Sequence, residues 1–115
     1  GQFIKGKSCD TFAPFGPFMA TTDELPDTNS LALRLSLNGT TVQNGSTADM
    51  VFKVPFLVSY ISQFMTLLPG DIISTGTPAG VGAGMKPPRF LKTGEVLEYS
   101  VEGLGSCRNE VRSLE

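Results

Sequence analysis

The segment of this sequence best suited to contact a ligand is the glycine-rich stretch 75–84, TGTPAGVGAG, which follows a short apolar run. Such loops bind nucleotide phosphates when a helix begins at their end, because the helix N-terminus supplies amide groups and a favourable dipole. Here the Gly-Lys-Ser/Thr ending is absent, and the paired prolines at 87–88 cannot continue a helix. A nucleotide site is therefore the least favoured interpretation. A turn that only needs glycine, and a loop whose threonine hydroxyls and backbone N–H groups bind a ligand carboxylate, both stay open.

Lys7 is a second candidate for ligand contact, in the segment 5–10 with the sequence KGKSCD. An isolated lysine is usually a solvated surface charge. This one has aromatic residues nearby in the sequence and Asp10 as an available partner. A lysine held in such surroundings could bind an anionic substrate or stabilise an enolate as negative charge develops on it. Both interpretations of Lys7 stay open.

The sequence is poor in the groups that perform acid–base or metal chemistry. It contains no histidine, the commonest general base near neutral pH. Glu95 and Glu98 are three positions apart, which places them on opposite faces of a strand. Cys9 and Cys107 lack the paired spacing of a metal site and are expected to be free thiols. We therefore assign no catalytic residue, and we expect any base and any metal ligands to come from elsewhere.

The composition limits the chain to a few classes of protein. Its 115 residues predict one domain, a hydrophobic content of 40% suffices for a core, and 13 glycines with 8 prolines favour strands joined by tight turns. A net charge of −2 without a long Lys/Arg run disfavours nucleic acid as a partner. No apolar stretch approaches the ~18 residues of a membrane span, and the first residues lack the apolar core of a signal peptide. We expect a cytoplasmic protein, with an organellar matrix as the open alternative.

Strands dominate the local patterns of the sequence. Period-two alternation of leucine over residues 31–37 predicts a strand with one buried face. The Asn-Gly pair at 38–39 predicts a two-residue hairpin turn, and the return strand over 40–43 is predicted to end at a second Asn-Gly pair, 44–45. Further strands are predicted over 72–74, 96–102 and 107–111, with a turn at 103–105.

Helical patterns are confined to the middle of the chain. Ser46 is predicted to cap a short helix, with Asp49 three residues on. Pro55 suits the first turn of the main helix, which apolar and aromatic residues at helical spacing predict over 55–66. Residues 3–19, a mixture of Phe, Gly and Pro, predict extended segments and turns. One main helix among five or six short strands predicts an α+β fold dominated by sheet.

Short segments spread in order along nearly the whole chain resemble the C-terminal half of the fumarylacetoacetate hydrolase superfamily. They are 6–14 (GKSCDTFAP), 16–17 (GP), 42–47 (VQNGST), 50–52 (MVF), 59–62 (SYIS), 68–71 (LPGD) and 75–82 (TGTPAGVG). The segments 86–91 (KPPRFL) and 102–105 (EGLG) are similar to the branch that contains diketo-deoxy sugar-acid hydrolases and ureidoglycolate lyase-like proteins. The chain, residues 1–115, is therefore expected to be the C-terminal part of such a catalytic domain.

The resemblance implies a fold and a chemistry. The fold is a β-rich mixed sheet that forms a partly open roll and usually dimerises, so a homodimer is expected. Family members use Mg²⁺, Mn²⁺ or Ca²⁺ to hold a small 2-oxo or diketo acid, and oxygen ligands suit such cations. The metal acts as a Lewis acid on the oxo group while a C–C bond is hydrolysed or decarboxylated, or while the keto acid is tautomerised.

The resemblance also implies roles for particular residues. The lysine of the family's Gly-Lys-Ser-Phe-Asp stretch falls on Lys7, which implies binding of the substrate anion. The second threonine of the family's Thr-Gly-Thr falls on Thr77, which implies contact with the substrate carboxylate, with Thr75 and Gly76 beside it. Thr11 is the position implied for a second cation that some members bind.

The family's remaining machinery, a Glu-x-Glu pair and an Asp as metal ligands and a His-Glu base, lies upstream of the part that this chain resembles. The first hypothesis is therefore a metal-dependent hydrolase or lyase of which this chain is the substrate-facing part, for instance in hydrolysis of a 2,4-diketo-3-deoxy sugar acid. A keto acid decarboxylase or tautomerase of the same superfamily is the alternative within this chemistry. The alternative from another class is a catalytically incomplete fragment or a non-catalytic dimerising module.

Overall fold

A four-stranded antiparallel sheet forms the centre of the protein. The computed structural model describes residues 3–113. The strands are β1 (Ala32–Leu37), β2 (Thr40–Ser46), β3 (Val96–Val101) and β4 (Gly105–Glu110), in the spatial order β2-β1-β3-β4. The predicted α+β class with an open, dominant sheet is confirmed. Within the described range the sheet has four strands, all antiparallel, where the sequence predicts five or six in a mixed sheet.

The hairpin between β1 and β2 is the one that the alternating leucines and the first Asn-Gly pair predict. Asn38 and Gly39 both have positive φ, +50° and +79°, as the favoured two-residue hairpin turn requires. The Asn38 side chain accepts a hydrogen bond from the Val96 N–H at 2.9 Å, and the Asn38 N–H donates to the Val96 carbonyl at 2.8 Å. The turn therefore fixes both the β1–β2 register and the place where β3 begins.

The sheet has one apolar face. Directly opposite residues of β1 and β3 share it, in the pairs Leu33–Val101, Leu35–Tyr99 and Leu37–Leu97. Because side chains alternate along a strand, Arg34 and Ser36 lie on the other, polar face. Leu37, the last residue of β1, and Leu31, just before the strand, are 8% and 9% exposed. They are the best-buried apolar side chains of residues 3–113.

Strand β2 does not end at the second Asn-Gly pair, so that prediction is wrong. Both residues pair with β1, opposite Arg34 and Leu33, and the ladder continues to Ser46. An Asn-Gly pair makes the hairpin turn only where both residues adopt positive φ, and neither Asn44 nor Gly45 does so. Pairing with β1 overrides the local turn signal.

Strand β2 carries a β-bulge at Val42. Leu35 pairs with Gln43 and Ser36 pairs with Thr41, so Val42 is an extra residue on β2. A bulge changes the direction of the side chains that follow it. Gln43 therefore lies on the apolar face, directly opposite Leu35, where Val42 would stand in a regular ladder.

Helical structure lies at the start of the described chain and after β2. Helix α1 spans Phe3–Lys7, a 3-10 turn spans Thr47–Asp49, helix α2 spans Val54–Ser62, and a second 3-10 turn spans Gly82–Gly84. The predicted N-terminal signals are confirmed, since Ser46 caps the first 3-10 turn and Pro55 lies in the first turn of α2. None of the helices in residues 3–113 has the length and apolar character needed to cross a membrane.

Helix α2 is shorter than the prediction of 55–66. The N–H groups of Gln63 and Phe64 donate to carbonyls three residues back, those of Tyr60 and Ile61, at 3.2 and 3.0 Å. This 3-10 pattern tightens the last turn and ends the helix at Ser62.

Two other segments also differ from the sequence predictions. Helix α1 forms where extended segments and turns are predicted, and its lysines lie near the C-terminal end, where positive charge complements the helix dipole. Residues 72–74 form no strand, and Ile72 is 73% exposed. Both edges of β1 are occupied by β2 and β3, and in the described part of the chain no strand pairs with 72–74.

A row of aromatic side chains runs along one face of α2 and the residues beside it. The ring centroids are 5.0 Å apart for Phe52–Phe56, 5.9 Å for Phe56–Tyr60 and 5.1 Å for Tyr60–Phe64. A spacing of four residues per step aligns such side chains on a helix. Each of the four is at least 50% exposed, so this aromatic row stabilises the helix mainly through contacts within itself.

We expect Gly39→Ala to destabilise the protein by about 1 kcal/mol, because Gly39 has a φ of +79° and a side chain disfavours that backbone region. A Cβ at this position would meet no atom within 4 Å, so the backbone conformation is the main cost. Gly6→Ala is the matched control, since its site in α1 is equally open and has no positive φ; that change should be neutral or slightly stabilising. Urea unfolding followed by circular dichroism measures both. Equal effects would contradict the turn geometry.

Candidate functional site

A cavity of about 560 Å³ lies between the end of β2, the start of α2 and the segment 75–79. Its wall brings together three of the residues predicted to bind substrate, namely Thr75, Gly76 and Thr77. The opposite walls are the apolar side chains Leu33, Met50 and Leu57 and the polar turn at 46–49. A cavity of this volume suits a small ligand.

Glycine allows the segment that follows the threonines to lie directly on β2. Gly80 has a φ of +110°, and a Cβ there would stand 2.0 Å from the Val42 carbonyl oxygen. Pro78 packs over Gly45, where a Cβ would come within 2.9 Å of the proline side chain. Close packing and backbone conformation thus account for these glycines. Ligand binding by the loop then depends on the threonine hydroxyls and the backbone amides.

Gln43 holds the threonine wall of the cavity in place. Its amide nitrogen donates to the Thr77 hydroxyl oxygen at 2.8 Å and to the Pro78 carbonyl oxygen at 2.8 Å. No pattern in the sequence marks this residue as functional. Its contact depends on the bulge at Val42, and no residue type in β2 signals a bulge in advance.

The charged residues around the cavity are engaged in local structure. Asp49 accepts the Ser46 backbone N–H at 3.3 Å, and Lys53 donates to the Thr47 and Ala48 carbonyls at 3.2 and 2.7 Å. These contacts complete the capping box and hold the 3-10 turn. The described residues that line the cavity include the Asp49 carboxylate, which repels an anion, and no Lys or Arg. The groups that line the cavity and could attract an anion are therefore neutral hydroxyl and amide donors.

The structure does not bring Lys7 and Thr11 to this cavity. Lys7 is exposed at the C-terminal end of α1, and Thr11 is exposed in the turn that follows, with a φ of +67°. Neither residue lines the cavity. Their roles as substrate and cation contacts stay predictions.

The described residues do not offer the set of ligands that a divalent cation requires. Residues 3–113 contain no group of three or more His, Cys, Asp or Glu side chains that could hold a metal ion. Mg²⁺ and Ca²⁺ prefer several oxygen ligands, carboxylates among them. This part of the chain therefore does not fit the metal that the resemblance implies.

An ion pair closes the far end of the glycine-rich loop. The Arg89 guanidinium contacts the Glu95 carboxylate, and the Arg89 N–H donates to the Gly82 carbonyl at 2.9 Å. Glu95, whose side chain is 12% exposed, also accepts the Lys92 N–H at 2.9 Å. That hydrogen bond and the charge of Arg89 lower the pKa of the Glu95 carboxyl below its usual 4.5, although partial burial opposes the shift.

Sequence and fold together define the class of protein. The chain matches the family model described as fumarylacetoacetate (FAA) hydrolase C-terminal over residues 1–112. The protein therefore belongs to the fumarylacetoacetate hydrolase family and represents the C-terminal part of its fold, which confirms the resemblance read from the sequence.

Curated relatives and solved structures agree with this assignment. A protein of Burkholderia lata, named provisionally as a hydrolase, is 55% identical over 113 residues, which cover 97% of this chain and 40% of the relative. A fumarylacetoacetate hydrolase from the psychrophilic Exiguobacterium antarcticum has a TM-score of 0.94 at 45% identity, with 98% of this chain and 40% of that one covered.

Two further structures represent other activities within the same fold. The maleylpyruvate hydrolase of Sphingobium sp. SYK-6, in complex with manganese(II) and pyruvate, has a TM-score of 0.80 at 36% identity, with 90% of this chain and 36% of that one covered. The 5-carboxymethyl-2-hydroxymuconate delta-isomerase of Mycobacterium smegmatis has a TM-score of 0.83 at 37% identity, with 99% and 42% covered. The chain spans about two fifths of the length of the curated relatives it matches. An activity for this chain therefore does not follow from its family alone.

We expect Gly80→Ala to displace the loop from β2 and to destabilise the protein by about 2 kcal/mol, because the new Cβ would collide with a backbone oxygen. Gly84→Ala is the matched control, since its nearest contact is a Val81 methyl group at an ordinary 3.5 Å. Urea unfolding and the NMR cross-relaxation (NOE) between the Pro78 ring and the Gly45 α-protons measure the effect. Unchanged stability and an unchanged Pro78–Gly45 NOE in Gly80→Ala would contradict the close packing of the loop.

We expect Glu95→Gln to destabilise the protein at neutral pH and to have no effect in strong acid. The folded-state pKa of Glu95 is lowered, so its contribution to stability is present above about pH 4.5 and is lost as the pH falls through the lower folded-state pKa. Glu98→Gln is the control, because the Glu98 carboxylate is 54% exposed and lies 4.0 Å from Arg108 Nε; its effect should be smaller. Unfolding free energies from pH 2 to 7 test this, and a pH-independent difference for Glu95→Gln would refute it.

Proposed function

We propose that this chain supplies the carboxylate-binding side of an active site for 2-oxo or 2,4-diketo acids, in a hydrolase or lyase that acts on a C–C bond. The observation that carries the proposal is the cavity beside residues 75–77, together with the hydrogen bond from Gln43, a residue that does not line the cavity, to the hydroxyl of Thr77, which does. A hydroxyl whose oxygen accepts one hydrogen bond still has its own proton to donate, and a carboxylate only accepts. The cavity is thus a donor site of a size that suits a small acid.

Family membership supports this class of substrate. Pyruvate, the ligand of the Sphingobium structure, is itself a 2-oxo acid. Within that class we propose a 2,4-diketo-3-deoxy sugar acid, on the basis of the segments 86–91 and 102–105. We also propose that the whole protein uses Mg²⁺, Mn²⁺ or Ca²⁺, held by residues outside 3–113, since the described residues do not form a cation site.

In this proposal the residues of the chain bind and orient the substrate. The hydroxyls of Thr75 and Thr77 and the amides of 75–77 fix the carboxylate, which presents the rest of the molecule to the remainder of the enzyme. Lys7 is a proposed further contact to the substrate anion. The general base is proposed to lie outside this chain, because the chain contains no histidine.

Two other functions are kept as candidates because specific observations favour them. The isomerase among the structural neighbours favours tautomerisation or decarboxylation of a keto acid, for which the same carboxylate contact would serve. The poor fit to a metal ion favours a non-catalytic, dimerising module. For each candidate we propose a cytoplasmic homodimer with a small acid as ligand and with neither nucleic acid nor a membrane as partner.

We expect oxalate, a mimic of a 2-oxo acid enolate, to shift the NMR amide resonances of residues 75–77 in the 115-residue chain, with a Kd on the order of 1 mM. Thr77→Val should weaken this binding about tenfold, because it removes the hydroxyl donor and keeps the side-chain shape. Thr66→Val is the matched control, since Thr66 is exposed and lines no cavity wall here. Mg²⁺ should leave the affinity unchanged, once the concentration of free oxalate is corrected for the Mg²⁺–oxalate complex that forms in solution.

Two outcomes would count against the proposal in different ways. If residues 75–77 do not respond to oxalate up to about 50 mM, the cavity is no carboxylate site. If binding becomes tight only with Mg²⁺, the metal ligands lie within this chain, and their assignment to the rest of the protein is wrong.

A further inference from the structure

The side-chain amide of Gln43 has only one orientation that satisfies both of its contacts. The nitrogen lies 2.8 Å from the Thr77 hydroxyl oxygen and 2.8 Å from the Pro78 carbonyl oxygen. A carbonyl oxygen accepts hydrogen bonds and never donates them, so it can pair with the NH₂ of Gln43 and not with its oxygen. The Pro78 carbonyl therefore determines which end of the amide faces the loop.

This orientation determines how the Thr77 hydroxyl is used. The remaining N–H of Gln43 donates to the hydroxyl oxygen, so the hydroxyl is an acceptor in that contact and its own proton turns to another partner. Thr77 is exposed and lines the cavity. A ligand bound in the cavity can therefore accept this proton.

The β-bulge gives Gln43 this position. In a regular ladder Val42 would stand opposite Leu35 and Gln43 would lie on the polar face of the sheet. The extra residue instead brings Gln43 to the face on which the loop packs. The same bulged residue provides the carbonyl that Gly80 approaches, so bulge and loop form one unit.

We propose that Gln43 is a positioning residue that makes the cavity selective for a carboxylate over a neutral carboxamide. The inference rests on the carboxylate site proposed above. A hydroxyl proton offered to the ligand matches a carboxylate, whose two oxygens only accept. The NH₂ of a carboxamide placed there would face a donor, which excludes one of its two orientations and lowers its affinity about twofold. In the other orientation its neutral oxygen accepts a weaker hydrogen bond than a charged carboxylate oxygen does. Acids are thereby selected by a residue that does not touch them.

The test compares pyruvate with pyruvamide, its neutral carboxamide, by NMR titration of the full chain. Wild type should bind pyruvate about tenfold or more tightly than pyruvamide. Gln43→Met, which keeps the length and removes the amide, should lower the affinity for pyruvate about fivefold and leave that for pyruvamide within about twofold. Gln63→Met, at the exposed C-cap of α2, is the matched control and should change neither affinity.

A double variant separates orientation from simple support of the loop. If Gln43 acts through the Thr77 hydroxyl, then Gln43→Met should have little further effect on pyruvate binding in a Thr77→Val background. A purely structural role would instead lower the affinities for pyruvate and pyruvamide by the same factor and would weaken the NOE between the Pro78 ring and the Gly45 α-protons. An unchanged ratio of the two affinities in Gln43→Met overturns the inference.

The two levels of the proposal fail in recognisably different ways. If wild type binds pyruvate and Thr77→Val weakens it while Gln43→Met does not, the carboxylate site stands and the role of Gln43 is wrong. If wild type does not bind pyruvate at residues 75–77, the proposed function fails and the selectivity fails with it.

Discussion

The close approach of the loop backbone to β2 is the contact on which the rest of the site depends. A Cβ at Gly80 would stand 2.0 Å from the carbonyl oxygen of Val42, so a glycine is required where the loop crosses the bulge. With the loop seated there, Pro78 packs over Gly45 and the Gln43 amide reaches Thr77. A glycine and a β-bulge each weaken regular structure locally. Here they coincide at one point, and the cavity is formed beside them.

Local signals predicted those parts of the fold whose contacts are local. Asn38 and Gly39 make a hairpin because the residues on either side of them pair directly with each other, Leu37 with Thr40 and Ser36 with Thr41. The same dipeptide at 44–45 makes no turn, because its partners Arg34 and Leu33 lie ten and twelve residues away on β1 and the ladder keeps both residues extended. Residues 72–74 have the apolar character of a buried strand, but they pair with none of the four strands, although the outer edges of β2 and β4 have no partner among the described residues. Whether a segment pairs as a strand depends on the assembled sheet, so a short stretch of sequence does not predict it.

The candidate site divides in the same way. Thr75, Gly76 and Thr77 could be found from residue type and from the resemblance, because the functional groups and the turn lie in one contiguous segment. Neither residue type nor the resemblance identifies Gln43. Its contact with Thr77 depends on the register shift of β2 against β1 and on a loop more than thirty residues away. Lys7 is a candidate both from its sequence neighbours and from the resemblance, and its exposed position at the end of α1 does not test its role in substrate binding.

The contacts that the charged residues make within the chain limit how strongly the cavity can bind an anion. Asp49 and Lys53 hold the turn beside the cavity, and Arg89 with Glu95 closes the loop, which leaves neutral donors to face a ligand. Water competes with a ligand for neutral donors on an exposed loop. Such donors therefore orient a bound carboxylate but contribute little to its affinity. Strong binding of a di-anionic or enolate form requires a positive charge and the exclusion of water. The proposed function accordingly assigns recognition and orientation of the acid to this chain, and neutralisation of the developing charge to the rest of the protein.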